Sequence, residues 1–274
     1  MWPPYSMQFF QKPFFQDARH FQIATLGSLL IFLLMWSDFA PKPEVIALIF
    51  SATLLTQFLF FKFLKIPSND YRSPFITSLS LCLLFKTNII WIYALAGVVA
   101  MATKFLIRWD NKHLFNPANA AIVIGLLAMP NHVWVSPGQW GSALWFAFGL
   151  LCFAALVLNR SKSADTALFF LGSWFFLLFG RALWLGDPVE IPLHNAQSGA
   201  LLIFTFFMIS DPMTTPNHRL GRFVFAFSVA VFAYVMQYVF QIREAIFYAL
   251  FFICFTTPLI DLVLKETRYQ WRKI

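Results

Sequence analysis

Apolar residues in this chain fall in runs of helix length, separated by short polar or proline-bearing breaks. Marking the runs gives ten segments: 21–37, 44–63, 73–87, 89–108, 113–129, 140–158, 165–185, 196–210, 220–240 and 244–264. A membrane-spanning helix needs about 20 predominantly apolar residues, because each residue advances it by ~1.5 Å through ~30 Å of hydrocarbon. Ile246 to Leu264 meets that length. Three segments are short for a full span, Ser73 to Thr87, His113 to Met129 and Ala196 to Ser210. These are expected to be half-helices or broken helices. The pattern predicts an all-α polytopic membrane protein of about ten transmembrane or re-entrant helices.

Charge orders the segments. When the connectors are assigned alternately to two sides, all but four of the 20 Lys and Arg fall on one side; Lys42, Lys86, Arg181 and Arg243 fall on the other. Cytoplasmic loops carry the excess of Lys and Arg, so both termini are expected in the cytoplasm and the chain in a bacterial inner membrane. Residues 1–20 then form an interfacial cytoplasmic stretch, with Trp2, Phe9, Phe10, Phe14 and Phe15 among polar residues, and 265–274 a basic cytoplasmic tail. The transmembrane domain is 21–264. Short segments three and eight stand five places apart, so halves at about 21–129 and 140–264 face the membrane in opposite senses, a 5+5 inverted repeat. Such folds place their sites where broken helices meet.

Composition narrows the function. Hydrophobic residues make up 59% and charged residues 12%, against about 45–50% and 25% in a soluble domain. The net charge of +8 lies in connectors, where it orients the chain, so nucleic-acid binding is excluded and the bilayer is the partner. The first apolar run has no small-residue cleavage site behind it and reads as a retained span. Cys82, Cys152 and Cys254 sit singly in apolar segments without a CxxC, and the five His lie at segment ends. Neither an iron–sulfur cluster nor a haem ligand pair is expected. No phosphate-binding, zinc-protease or hydrolase motif is present.

Three polar islands interrupt the apolar pattern. In KHLFNPANAA, Asn116 before Pro117 is the ordinary start of a helix, but Asn119 adds a second amide inside the membrane that a polar ligand would use. In HNAQSGA, Ser198, Gly199 and Ala200 allow close approach by a ligand or, equally, by another helix. In MISDPMTTPNHRLGR, Asp211, Thr214 and Thr215 form a polar turn that is longer than a simple helix connection needs. Lys86, Arg181 and Asp261 are the ionisable residues nearest to the membrane interior.

These islands, in this order, resemble the RnfD/NqrB family, the membrane subunits of Rnf and sodium-pumping NADH:quinone oxidoreductase complexes. KHLFNPANAA is similar to the family's FNPA element, QSGALLIFTFFMISDPMTTP to its SGAT segment and following TDPxTxP turn, and FFICFTTPLIDLVL to its last helix. The resemblance implies a fold similar to urea and ammonium channels that holds flavin and passes electrons between other membrane or membrane-associated redox subunits, without independent catalysis. It also implies FMN joined through a phosphoester to the SGAT threonine. Here that position is Leu201, which has no hydroxyl. The expectation is therefore FMN or riboflavin held non-covalently, by Asp211, Thr214 and Thr215 on one side and Asn116 and Asn119 from the facing repeat, with Ser198, Gly199 and Ala200 at the other end. Leu201 marks a divergent or stand-alone member, similar to UnbU-type proteins. A cofactor-free channel for a small polar solute and a membrane scaffold for redox or biosynthetic partners remain the alternatives.

Overall fold

A computed structural model describes residues 17–37, 40–66, 70–110, 112–136, 164–196 and 198–267. Segment 140–158, the interfacial stretch before residue 17 and the tail beyond 267 lie outside the described residues. The first half contains α1 (Ala18–Trp36), α2 (Pro43–Phe63), α3 (Arg72–Leu84), α4 (Ile90–Leu106) and α5 (Pro117–Ala128). The second contains α6 (Ala164–Leu185), α7 (Glu190–Ala196), α8 (Gly199–Ile203), α9 (Arg219–Tyr238), α10 (Ala245–Ile253) and α11 (Thr257–Val263). Five stretches, α1, α2, α6, α9 and Ala245–Val263, are long and apolar enough to cross a membrane. The chain is a multi-pass membrane protein.

Helix ends follow local chemistry. Asp17 caps α1 by accepting from the Arg19 N–H at 2.9 Å. Pro43 opens α2, whose first turn holds Glu44 and last turn Lys62, each complementing the helix dipole. The segment at 244–264 is a single apolar run in sequence but divides into α10, a 3₁₀ turn at Cys254–Thr256, and α11. Pro258 at the start of α11 lacks the N–H that would bond back into the previous turn.

The fold is mostly helical, as the apolar runs predict, with two short strand pairs added. The end of segment 73–87 leaves the helix at Leu84 as β1 (Phe85–Thr87), which pairs antiparallel with β4 (Val133–Val135), Lys86 opposite Trp134. Arg108–Trp109 (β2) and Lys112–His113 (β3) form a second antiparallel pair, so α5 begins at Pro117 and not at 113. Both pairs sit at helix ends, where the backbone has run out of intrahelical partners and a neighbouring strand supplies them.

The helices pack α1 on α3, α2 on α3 and α4, α4 on α5, α5 on α10, and α6 and α10 on α9. Lipid tails give no hydrophobic reason for helices to associate, so close packing and polar contacts carry the association. Gly97 of α4 supplies the first: a Cβ there would lie 3.0 Å from Ala52 Cβ and 3.3 Å from the Ile49 carbonyl oxygen of α2. Thr53 of α2 supplies the second, its fully buried hydroxyl bonding to Ser78 of α3. Gly221 of α9 is more confined, since its Cβ would meet Ile260 Cγ2 of α11 at 2.8 Å. Gly221→Val is expected to lower stability by about 1–3 kcal/mol through overpacking, read as a drop in Tm in detergent. Gly172→Ala, where an added Cβ meets open space, should leave Tm the same or slightly higher.

Candidate functional site

The start of α5 and the turn after α8 are broken for different reasons and meet. Asn116 caps α5, its Oδ1 accepting from the Asn119 N–H at 3.2 Å, while Pro117 occupies the first helical position. α8 is capped by Ser198, whose Oγ accepts from the Leu201 N–H at 3.4 Å, and continues as a π-helix over Phe204–Met208 before the turn at Asp211. Asp211 Oδ1 accepts from the Met213 N–H at 3.0 Å within its own turn. Asp211 Oδ2 faces the first half, 3.2 Å from His113 Nε2 and 3.4 Å from Asn116 Nδ2. Burial raises the carboxyl's pKa, but His113, the Met213 N–H and the Asn116 amide together outweigh it and hold Asp211 below its ordinary value.

The rest of the turn is fixed from behind. Lys112 Nζ donates to the Thr215 carbonyl at 2.6 Å and lies 3.2 Å from Asp261 of α11. Asp261 accepts from the Asn217 N–H at 2.8 Å and its side-chain amide at 3.0 Å. Thr214 donates its hydroxyl to the Asp211 carbonyl at 3.1 Å, and Thr257 donates to the Thr214 carbonyl at 3.2 Å. Arg222 grips Asp165 of α6 with Nε at 3.0 Å and Nη2 at 2.7 Å. Asp261 is thus paired and not an isolated membrane charge. Arg181 is paired likewise, with Asp187 at 2.8 Å.

In front of Asp211 lies a cavity of about 260 Å³, just below the roughly 300–1,000 Å³ of small-molecule sites. Its polar wall includes Asp70, Ser73, Thr77, Lys104, His113, Asn116 and Asp211; Phe61, Ile76, Phe105 and Phe207 supply apolar faces. One rim is a four-membered ion cluster. Arg19 bonds Asp17 and Asp70, each at 2.6 Å, and Arg72 bonds Asp17 at 2.6 Å and Asp70 at 2.8 Å. Burial raises the Asp70 pKa, but the two arginines more than offset it and hold the carboxyl down at about 2.

The predicted residues divide into three groups. Asp211 and Asn116 line the cavity. Asn119, Thr214 and Thr215 are buried behind it; Asn119 donates to the Phe247 carbonyl at 3.2 Å while its Oδ1 has no partner among the described residues. Ser198, Gly199 and Ala200 begin α8, at the opposite end from Asp211 of one continuous helical run. Leu201 there is 4% exposed and has no hydroxyl, so this position does not fit an FMN phosphoester. The cavity lining joins the rings of Phe61, Phe105 and Phe207 to the amide, imidazole and carboxylate of Asn116, His113 and Asp211, a set of groups suited to a non-covalent planar ligand. Sequence reasoning misses Lys104, His113 and the ion cluster as parts of the site. The available signal is the repeated Asp-x-Arg at Asp17–Arg19 and Asp70–Arg72.

Residues 138–270 match the model of the NQR2, RnfD, RnfE family. The match lies in the second half of the chain and takes in α6 through α11. Similar proteins include the D-type subunit of the ion-translocating oxidoreductase complex of Stutzerimonas stutzeri, 32% identical over 98 residues, which is 34% of this chain and 28% of the relative. The protein of the same name from Alcanivorax borkumensis is 28% identical over 88 residues, 31% of this chain and 26% of the relative. That from Pseudomonas paraeruginosa is 25% identical over 262 residues, covering 73% of this chain and 75% of the relative. The chain thus spans about a quarter of the first two relatives and three quarters of the third.

The ion cluster makes a pH prediction. A carboxylate with a folded pKa near 2 and an ordinary value of 3.8 contributes stability that is full above 3.8 and lost as pH falls through 2. Between those values the wild-type Tm in detergent should fall more steeply than that of Asp70→Asn, and the two curves should converge toward pH 2.

Proposed function

We propose that this chain is a membrane electron-transfer subunit that holds a flavin, FMN or riboflavin, non-covalently in the cavity before Asp211 and relays electrons between partner subunits. The observation that supports it most is the meeting of Asn116, His113 and Asp211 at a cavity with aromatic flanks. Phe61, Phe105 and Phe207 would enclose the ring system and exclude water. His113 would hydrogen-bond its polar edge through the ring nitrogen that does not face Asp211, and Asp211 and Asn116 would fix the imidazole's orientation. A bound flavin supplies one- and two-electron chemistry, which no side chain in this site can; the residues tune it through hydrogen bonds. Relatives named as subunits of ion-translocating oxidoreductase complexes support the presence of redox partners.

The same reading arranges the halves as an inverted repeat. In its favour, α2 packs on α4 and α6 on α9, while the short helices α3 and α8 hold corresponding positions in the two halves. The basic excess supports a cavity end that faces the cytoplasm of a bacterial inner membrane. Leu201 removes the covalent anchor, so the flavin would be released by acid.

Detergent-purified protein is expected to show flavin absorbance and fluorescence, with the flavin in the supernatant after acid precipitation. Asp211→Ala and Asn116→Ala should each retain about tenfold less, the loss of one hydrogen bond to a charged or polar partner. Flavin remaining in the pellet would refute the non-covalent assignment. Folded protein without flavin in either fraction would favour a cofactor-free transporter.

A further inference from the structure

The helix that brings Phe61 to the cavity wall carries a second hollow near the same end. The last turns of α2 line an open groove of about 460 Å³ with Leu59, Phe60, Lys62 and Phe63. Phe60 stacks on Phe105 of α4, ring centroids 5.0 Å apart, and Phe105 is also part of the cavity before Asp211. Leu59 is 53% exposed and Phe63 82%, so among the described residues no helix covers the groove. Its one charged member is Lys62, and Lys65 follows, exposed as well. Among the described residues neither lysine forms an ion pair. No acidic residue stands in the chain between Glu44 and Asp70, and Asp70 is taken up by Arg19 and Arg72.

In a bilayer such a groove is filled by a lipid tail or by another helix, and hydrophobicity alone favours neither, because lipid tails are as apolar as Leu. Charge separates the two. A lysine needed only for orientation can stand anywhere in a connector, whereas Lys62 is part of the groove itself. Its methylene stem extends the apolar wall and its ammonium reaches the water edge. We propose that the groove holds an acyl chain of an anionic phospholipid whose phosphate is bound by Lys62 and Lys65. Phosphate oxygens make charge-assisted bonds to an ammonium, and a headgroup without a cation of its own leaves that attraction undiminished, as phosphatidylcholine's does not. An apolar helix would fill the groove and leave both ammonium groups unmet. The inference holds whatever fills the cavity before Asp211.

The test is lipid retention by the full-length protein in mild detergent, equilibrated with equal amounts of phosphatidylglycerol and phosphatidylcholine of the same acyl chains and weighed by native mass spectrometry. The wild type should retain phosphatidylglycerol at least about fivefold over phosphatidylcholine, the effect of one basic residue at an anionic surface. Lys62→Gln with Lys65→Gln should retain one phosphatidylglycerol fewer, and Lys62→Arg with Lys65→Arg should keep it. Leu59→Trp, which fills the groove, should lose the same lipid with both lysines in place. Equal retention of the two lipids by the wild type overturns the proposal, as does a preference that the double glutamine variant leaves unchanged. A Tm raised by glycerol phosphate in the wild type and not in that variant, without a lysine-dependent lipid, assigns the lysines to a soluble phosphate and overturns it too. A dimer in light scattering that Phe63→Ser abolishes, again without such a lipid, gives the face to a second copy of the chain and overturns the lipid.

Discussion

The carboxylate of Asp211 accepts from its own turn on one oxygen and faces His113 and Asn116 of the other half on the second. The need behind this contact is general in a bilayer. An unpaired peptide or amide group in hydrocarbon costs several kcal/mol, so a helix can be interrupted there only where another element completes its ends. The start of α5 and the end of α8 complete each other in this way, with Asn116 also donating to the Phe207 carbonyl at 3.4 Å. The end of α3 is completed by β1 pairing with β4, and by the Ser136 N–H donating to the Leu84 carbonyl at 2.8 Å. The cavity exists because the interruptions at α5 and α8 fall at one end of the bundle.

Burial of charge follows the same logic on a larger scale. Arg19, Arg72, Arg222 and Lys112 each meet a carboxylate from a segment distant in sequence. Breaking such a pair leaves a buried charge uncompensated, which costs more than the pair itself contributes. The pairs therefore fix which helix ends meet, whatever their net stabilisation. Lys104 differs in that its Nζ donates to the neutral oxygens of Gln57 and Ser73.

The run lengths of the apolar segments are enough to read most helices to within a few residues, because lipid imposes a length on any span and a short run cannot meet it. The three short segments are short in the fold, as α3, α5 and α8 with its π extension. The strands at 85–87, 108–109 and 112–113 are not legible, since two or three residues carry no period that distinguishes a strand from a helix end. At the site, the islands announce Asn116 and Asp211 through proline and amide chemistry. Lys104 and Arg19 read in sequence as orientation markers, because a basic residue near a helix end serves topology in most cases and only a fold shows what it faces. Thr214 and Thr215 stand out in sequence for their hydroxyls, yet the fold also uses their carbonyls, as acceptors for Thr257 and Lys112. Sequence does not reveal which atom of a threonine is employed.

The π-helix at Phe204–Met208 has a geometrical consequence. A wider turn accommodates one residue more than an α-helical turn does, and each residue of an α-helix turns the chain by about 100°. The side chains beyond the bulge are therefore advanced around the axis relative to those before it. Asp211, beyond the bulge, faces His113 and Asn116 at the start of α5. The bulge acts as an angular offset between the two ends of one helical rod, so the direction in which Asp211 leaves it is set by the π turn as well as by the helix that begins at Gly199.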